Sequence, residues 1–291
     1  MASTESTSTE STSTESANIE LTNTELTNTE ARLDAELVGR GLVRSRALAV
    51  LAIEQGRVTV DGRVVTKPSS KTRADAELAV DGEDRYVSRS ALKLAGALDV
   101  FEVGVGGRLA LDVGASTGGF TQVLLERGAR EVIALDVGHG QLAEVVRSDP
   151  RVRVVEGVNA RSLDAAALAE ASGTTERPDL VVADLSFISL TTVLPALVAT
   201  VGTDADFVLL VKPQFEVGRQ GVREGIVREK NLRHDAVSAV VWAGWDLGLE
   251  TRGIVPSPVL GTNGNQEYLL WARAAVGPHP PQWEGVIGAL P

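Results

Sequence analysis

The chain has 291 residues, a formal net charge of −11 and no cysteine, which excludes disulfides, thiolate zinc centres and cysteine nucleophiles together. His139, His234 and His279 stand far apart, so no metal site is expected. There is no run of about twenty apolar residues and no basic-then-apolar leader, so the expectation is a soluble, cytoplasmic protein without membrane contact.

Residues 1–30 carry glutamates at every fifth position from Glu5 to Glu30, in a Ser/Thr/Asn-rich repeat without Lys or Arg. Such a repeat supplies nothing to bury, and a disordered acidic tail is expected. Residues 31–93 instead hold an excess of three positive charges, a weak sign of RNA contact. A small α+β module is expected over 31–81. Its first helix runs from Arg32 to Arg40 with Leu33 and Leu37 one turn apart, and Ser45 caps a second with Leu48, Leu51 and Ala52 on one face. Val58 and Val60 then alternate, Asp61-Gly62 turns, and Val64-Val65 begins a return strand. Arg32, Arg40, Arg44, Arg46, Arg57 and Arg63 punctuate these elements and would meet phosphates rather than read bases. A solvated basic surface is the competing account. The run RLDAELVGRGLVRSRALAVLAIEQGRVTVDGRVV resembles the alpha-L RNA-binding module first described in a small-subunit ribosomal protein, which implies an RNA partner.

A linker over 82–89 leads to a helix at about 90–99. Ala91, Leu94, Ala95 and Leu98 form its stripe and leave Lys93 outside it, where periodicity alone makes a solvated lysine. From Arg108, apolar runs alternate with helical segments over a second domain, residues 90–275, the pattern of a Rossmann-like parallel sheet with helices on both faces. RLALDV, EVIALD, VRVV, DLVVAD and DFVLLVK are its strands, a helix spans about Leu232 to Leu247, and GNQEYLLWAR is a last strand with Glu267 near its start. The Pro-rich end, 276–291, matches no pattern.

Chemistry is expected at the carboxyl ends of the parallel strands. The first runs into the turn Gly114-Ala115-Ser116-Thr117-Gly118-Gly119-Phe120, whose glycine spacing is not the dinucleotide pattern. Asp136 closes the second strand twenty-two residues after Gly114, near the spacing at which an acid holds an adenosine ribose; a helix cap is its plainer role. An adenosine cofactor without a pyrophosphate turn points to S-adenosylmethionine, with Asp112, Gly114 through Phe120, Asp136, Val137, Asn159 and Ala160 as its candidate contacts. The missing cysteine disfavours carbon methylation of pyrimidines, and ADLSFIS after strand four lacks the prolines usual in amine methylation. Ribose oxygen remains. Its hydroxyl needs a proton acceptor, a role suited to Lys212 at the end of strand five, with Asp184 on the adjoining strand orienting it. A salt bridge closing the sheet edge is the alternative for that pair, and Glu267 taken alone would be solvated.

Taken in order, YVSRSALKL, LDVGASTGGF, VVADLSFISL, LLVKPQFEVG and GNQEYLLW resemble the TlyA, or hemolysin-A-like, family of ribosomal RNA 2′-O-methyltransferases in the FtsJ-like group. The resemblance implies a catalytic set of Lys93, Asp184, Lys212 and Glu267, in which Lys93 lowers the pKa of Lys212 and the carboxylates position the lysines. It also implies methylation of cytidine in the ribosomal RNA of the large and possibly the small subunit, with ribosomal RNA or ribosomal subunits as partner and no obligate protein partner evident. Two other classes stay open: a nicotinamide-dependent oxidoreductase, and a non-catalytic RNA-binding protein on a methyltransferase-like fold. With neither a membrane span nor a basic amphipathic helix, a pore former is disfavoured.

Overall fold

Short elements make up the first of two units into which the chain divides, Met1–Arg85 and Tyr86–Pro291. The computed structural model describes residues 30–43, 45–81, 85–218, 221–274 and 280–291. The expected tail up to residue 29, Arg44, linker residues 82–84 and His279 lie outside them.

The first unit contains β1 (Glu30–Arg32), α1 (Leu33–Gly39), α2 (Arg46–Glu54), β2 (Val58–Val60), β3 (Arg63–Val64), β4 (Lys71–Arg73) and β5 (Leu78–Val80). β1 pairs with β4, while β2 lies between β3 and β5, all antiparallel. Leu33, Leu37, Ala49, Ala52, Ile53 and Val58 form its core. Ser45 caps α2 by accepting the Leu48 amide at 3.4 Å. The buried face of α2 is Ala49, Ala52 and Ile53, whereas Leu51 is 45% exposed. Of the expected stripe Ala52 is in the core and Leu48 packs against it, whereas Leu51 turns outward and Ala49 and Ile53 take its place. Asp34 is buried between Arg32 and Arg46, at 2.9 and 3.0 Å from their Nε atoms. Hydrogen bonding from Arg32 leads the effects that hold its carboxyl near pKa 2, against the cost of burial.

The second unit is laid out as α3 (Ser90–Phe101), β6 (Leu109–Val113), α4 (Gly119–Glu126), β7 (Glu131–Asp136), α5 (Glu144–Arg147), β8 (Val152–Glu156), α6 (Ala165–Ser172) and β9 (Leu180–Ala183). It continues as α7 (Leu190–Val201), β10 (Asp206–Val211), α8 (Pro213–Glu216), α9 (Lys230–Asp246), β11 (Leu249–Pro256), β12 (Tyr268–Ala274) and α10 (Glu284–Ala289). These strands form one seven-stranded sheet in the order β11-β12-β10-β9-β6-β7-β8. From β10 to β8 neighbours are parallel, whereas β12 runs antiparallel to β10 and β11 to β12. Every residue of β6, β9 and β10 is buried, as expected of strands covered on both faces. Alternate side chains go to opposite layers: Leu111, Ile133, Val181 and Phe207 pack with Leu194 and Val237, while Ala110, Val132, Val182 and Val208 pack with Leu94 and Phe120. The five expected parallel strands are present, and β11 was missed. It is an edge strand with a bulge between Thr251 and Gly253, and its sequence LETRGIVP breaks the apolar alternation there.

This topology gathers the candidate residues. β6 is flanked by β7 on one side and β9 on the other, so the crossovers diverge there and open a crevice at the carboxyl ends. Val211 at the end of β10 is in register with Tyr268 at the start of the reversed β12, so a residue preceding β12 comes to the edge where a residue following β10 emerges.

Candidate active site

The glycine turn is held from the neighbouring strand. Asp136 accepts the Ser116 amide on Oδ2 at 2.8 Å and the Gly138 amide on Oδ1 at 2.7 Å. Each oxygen still has a lone pair for a ligand. Gly114 has φ +84°, and a Cβ there would stand 2.8 Å from the Asp184 carbonyl oxygen, so only glycine lets the turn pass beneath the end of β9. Above it is a cavity of about 360 Å³ whose lining includes Gly114, Ser116, Asp136, Val137, Asn159 and Ala160. Ala115, Thr117 and Phe120 border an adjoining pocket of about 130 Å³, with Ser88 and Ser90 opposite and Asp184, Ser186 and Lys212 at one end. Asp112, Gly118 and Gly119 do not line either space. Gly118 packs on Leu142 and Val146, Gly119 packs on Ser88 and Ser90, and Asp112 lies beneath the turn.

Asp112 is fully buried, and its Oδ2 accepts from the Thr121 hydroxyl at 2.6 Å. Burial first, then the nearby Asp184 carboxylate, pushes its carboxyl up from 3.8 to about 7, although the Thr121 bond pulls the other way. A raised folded-state value means that the protonated acid stabilises the fold below its ordinary pKa, and this contribution is lost as pH rises through about 7. Its size is on the order of 4 kcal/mol. Asp112→Asn, neutral at every pH, is therefore expected to flatten the profile. Thermal unfolding from pH 5 to 8 should show the wild-type midpoint falling relative to the variant; parallel profiles would contradict the assignment.

The four charged candidates form two ion pairs, Lys93–Glu267 buried and Lys212–Asp184 partly buried. Lys212 Nζ lies 2.6 Å from Asp184 Oδ1 and donates to Ser186 Oγ at 3.0 Å. Lys93 Nζ donates to Glu267 Oε2 at 2.5 Å, and Gln214 Nε2 donates to Glu267 Oε1 at 3.1 Å. Lys93 is 8% exposed and Glu267 1%, so neither is the solvated side chain that its local sequence suggests. The missing signal is tertiary: Lys93 projects from α3 towards the reversed β12, and only the pairing across 174 positions makes its burial tolerable. Each lysine faces its own carboxylate, Lys212 that of Asp184 and Lys93 that of Glu267.

A second cavity, of about 310 Å³, shares Ser186 and Lys212 with the smaller pocket. Lys93, Ser186, Phe187, Lys212, Gln214 and Glu267 line one part of it, and Val222, Gly225, Asn263 and Asn265 another. Asn265 ties its two loops together, donating to the Gly225 carbonyl at 2.7 Å and accepting the Val227 amide at 3.1 Å. Phe187 is 92% exposed at φ +65°, its ring 5.3 Å from that of Phe215. Sequence reasoning missed Ser186, Phe187, Gln214, Phe215 and Asn265. An exposed aromatic three residues after Asp184, in SFIS, was the available signal.

In the first unit the arginines differ. Arg40 is committed internally, donating to Glu36 and to the carbonyls of Ala76 and Arg73. Arg32 and Arg46 share Asp34, Arg57 meets Gln55 and the Asp81 carbonyl, and Arg63 is exposed.

A Rossmann-like sheet whose last strand is inserted in reverse, with a glycine turn and an acid at the second strand end, defines the methyltransferase class of fold. The sequence model of FtsJ-like methyltransferases matches residues 86–274, and that of the S4 domain matches 31–78. A 16S/23S rRNA (cytidine-2′-O)-methyltransferase TlyA of Mycobacterium tuberculosis is 52% identical over 84% of this chain and 90% of its own length. Hemolysin A of Brachyspira hyodysenteriae is 37% identical over 82% and 98%. A solved structure from Streptococcus thermophilus that also carries a hemolysin name superposes with a TM-score of 0.65 at 37% identity, covering 89% of this chain and 94% of that one. The chain belongs to the TlyA family of FtsJ-like methyltransferases. Among the described residues no helix is long and apolar enough to cross a membrane.

Proposed function

We propose that the protein transfers a methyl group from S-adenosylmethionine to the ribose 2′-oxygen of a cytidine in ribosomal RNA. The observation that carries this reading is the lining the spaces share: Asp184 and Ser186 border both the cavity over the glycine turn and the smaller pocket, and Ser186 and Lys212 border both that pocket and the second cavity beside Lys93 and Glu267. The first space fits the donor: apolar Val137, Val158 and Ala160 suit an adenine, Asp136 a ribose, and Ser88, Ser90 and Thr117 the amino-acid end. The bound donor supplies an electrophilic methyl on a sulfonium.

Lys212 has three N–H directions. Ser186 accepts one and the Asp184 carboxylate stands 2.6 Å away as the ion-pair partner, so an N–H can still be turned to the 2′-oxygen of a nucleotide in the second cavity. Holding that oxygen in line with the methyl supplies the orientation. The donor would supply the methyl to that oxygen, and the hydroxyl proton would end on the Asp184 carboxylate, with Lys212 passing one of its own protons to Asp184 as it takes the hydroxyl's. The Lys93–Glu267 pair and Gln214 stiffen the wall opposite. The exposed Phe187 ring offers a stacking surface for a base taken out of its helix. The S4 domain supplies the sequence-independent grip, with Arg63 turned to solvent.

The test is to incubate the protein with labelled donor and isolated ribosomal subunits, then map the product by alkaline cleavage. A 2′-O-methyl blocks cleavage at its own nucleotide, so a protected cytidine is expected in the RNA of each subunit that takes up label. Label that leaves every phosphodiester cleavable would place the methyl on a base and overturn the reading.

A further inference from the structure

The loops carrying Asp184 and Lys212 are joined a second time, away from their ion pair. Glu216 ends the single turn of α8, four residues after Lys212. Its Oε1 accepts the Leu190 amide at 2.8 Å and its Oε2 the Ser189 hydroxyl at 2.5 Å. Ser189 and Leu190 are the N-cap and first residue of α7, at the far end of the loop that starts at Asp184. The carboxylate thereby also serves the positive end of a twelve-residue helix.

We propose that Glu216 is a positioning residue that clasps the loops following β9 and β10 and thereby fixes Lys212 against Asp184 for methyl transfer. The inference rests on the proposed methyltransferase reading. The ties form a closed ring. At one end Lys212 meets Asp184 and Ser186; at the other Glu216 meets Ser189 and Leu190; the chain segments 184–190 and 212–216 are the sides. Both sides need fixing. The first contains Phe187 in a left-handed conformation that a non-glycine residue seldom adopts unless its surroundings impose it. The second is a turn of only four residues, too short to hold itself. Burial raises the Glu216 carboxyl above the usual carboxylate range, against the three hydrogen bonds from Ser189, Leu190 and Thr191 that favour the charge. A carboxylate kept there at that cost has a placement to enforce. Glu216 lines none of the cavities described above, so it acts through Lys212 rather than on a ligand.

Glu216→Ala is expected to lower the single-turnover methyl-transfer rate about 30-fold, as a displacement of under about 1 Å at the reacting atoms would. Donor affinity, measured by equilibrium binding of S-adenosylmethionine, should stay within about threefold. Glu216→Gln, which keeps one acceptor for Leu190 and a partner for Ser189, should restore most of the rate. Asp164→Ala, which removes the N-cap of α6 and its 2.8 Å bond from Ala167, is the control for a lost cap remote from the site. Hydrogen–deuterium exchange supplies a readout that needs no turnover. Peptides covering 185–192 and 212–218 should both exchange faster in Glu216→Ala and not in Asp164→Ala. A rate loss no larger than the control's, or faster exchange confined to one of the two peptides, would overturn the clasp. A wild-type protein inactive on every ribosomal substrate, with both peptides still loosened by Glu216→Ala, would instead sink the methyltransferase reading and leave the clasp standing.

Discussion

Lys212→Ala is expected to cut methyl transfer by about 10³-fold while donor affinity changes by less than about threefold. The argument is positional. Lys212 stands at the junction of the two cavities, whereas Asp136, Asn159 and Ala160, which line the donor cavity, belong to other strand ends. Removing the amine deletes the group that meets the acceptor oxygen without touching the adenosine end. Part of any loss would come from the partly buried Asp184, left without its cation, and Lys212→Arg separates the two effects. It keeps the charge beside Asp184 but presents a planar, permanently protonated fork in place of a compact amine. A still inactive arginine variant, with a melting temperature near wild type, would assign the loss to the amine's geometry and proton chemistry. Activity recovered by arginine would reduce Lys212 to a counter-ion. Equal labelling of ribosomal subunits by the wild type and the alanine variant would remove it from the reaction altogether.

Much of this site was legible because its residues stand where strands end. Asp136, Asp184 and Lys212 each follow an apolar run, and in a doubly wound sheet that position alone sends them to one crevice. Lys93 and Glu267 were not legible in the same way. A lysine on a helix and a glutamate before a strand look solvated locally, and only the family resemblance singled them out. Their burial follows from the reversal of β12, which delivers its first residues to the edge where the parallel strands deliver their last. The glycine turn was identified from spacing, but its members divide on a criterion that spacing does not contain. Gly114, Ser116 and Thr117 face a cavity, whereas Asp112 and Gly118 shape the turn from below. In the first unit, counting arginines overstated the free ones. Arg40 has its donors taken by Glu36 and two carbonyls, and no charge count reveals that.

The Lys93–Glu267 pair carries the largest expected effect on stability, and stability and activity should part company there. Either partner alone is a buried charge: Lys93→Met leaves the Glu267 carboxylate with only Gln214, and Glu267→Gln leaves the ammonium facing an amide. Each single replacement is expected to cost about 3–5 kcal/mol in thermal or denaturant unfolding. The double variant Lys93→Met/Glu267→Gln removes both charges and keeps an acceptor for the Gln214 amide. Its stability should return to within about 1 kcal/mol of wild type, because replacing a buried pair by neutral groups of similar volume is often neutral or stabilising. If the pair served only to close α3 onto the sheet edge, methyl transfer would return with the fold. The pair, however, lines the same cavity as Lys212, and its charges meet whatever nucleotide enters there. The double variant should therefore fold like the wild type and still transfer methyl about 100-fold more slowly, an expected deficit carried by the acceptor step while donor binding is intact. A double variant that regains both stability and rate would make the pair a strut for the wall and leave Asp184 and Lys212 as the whole of the chemistry.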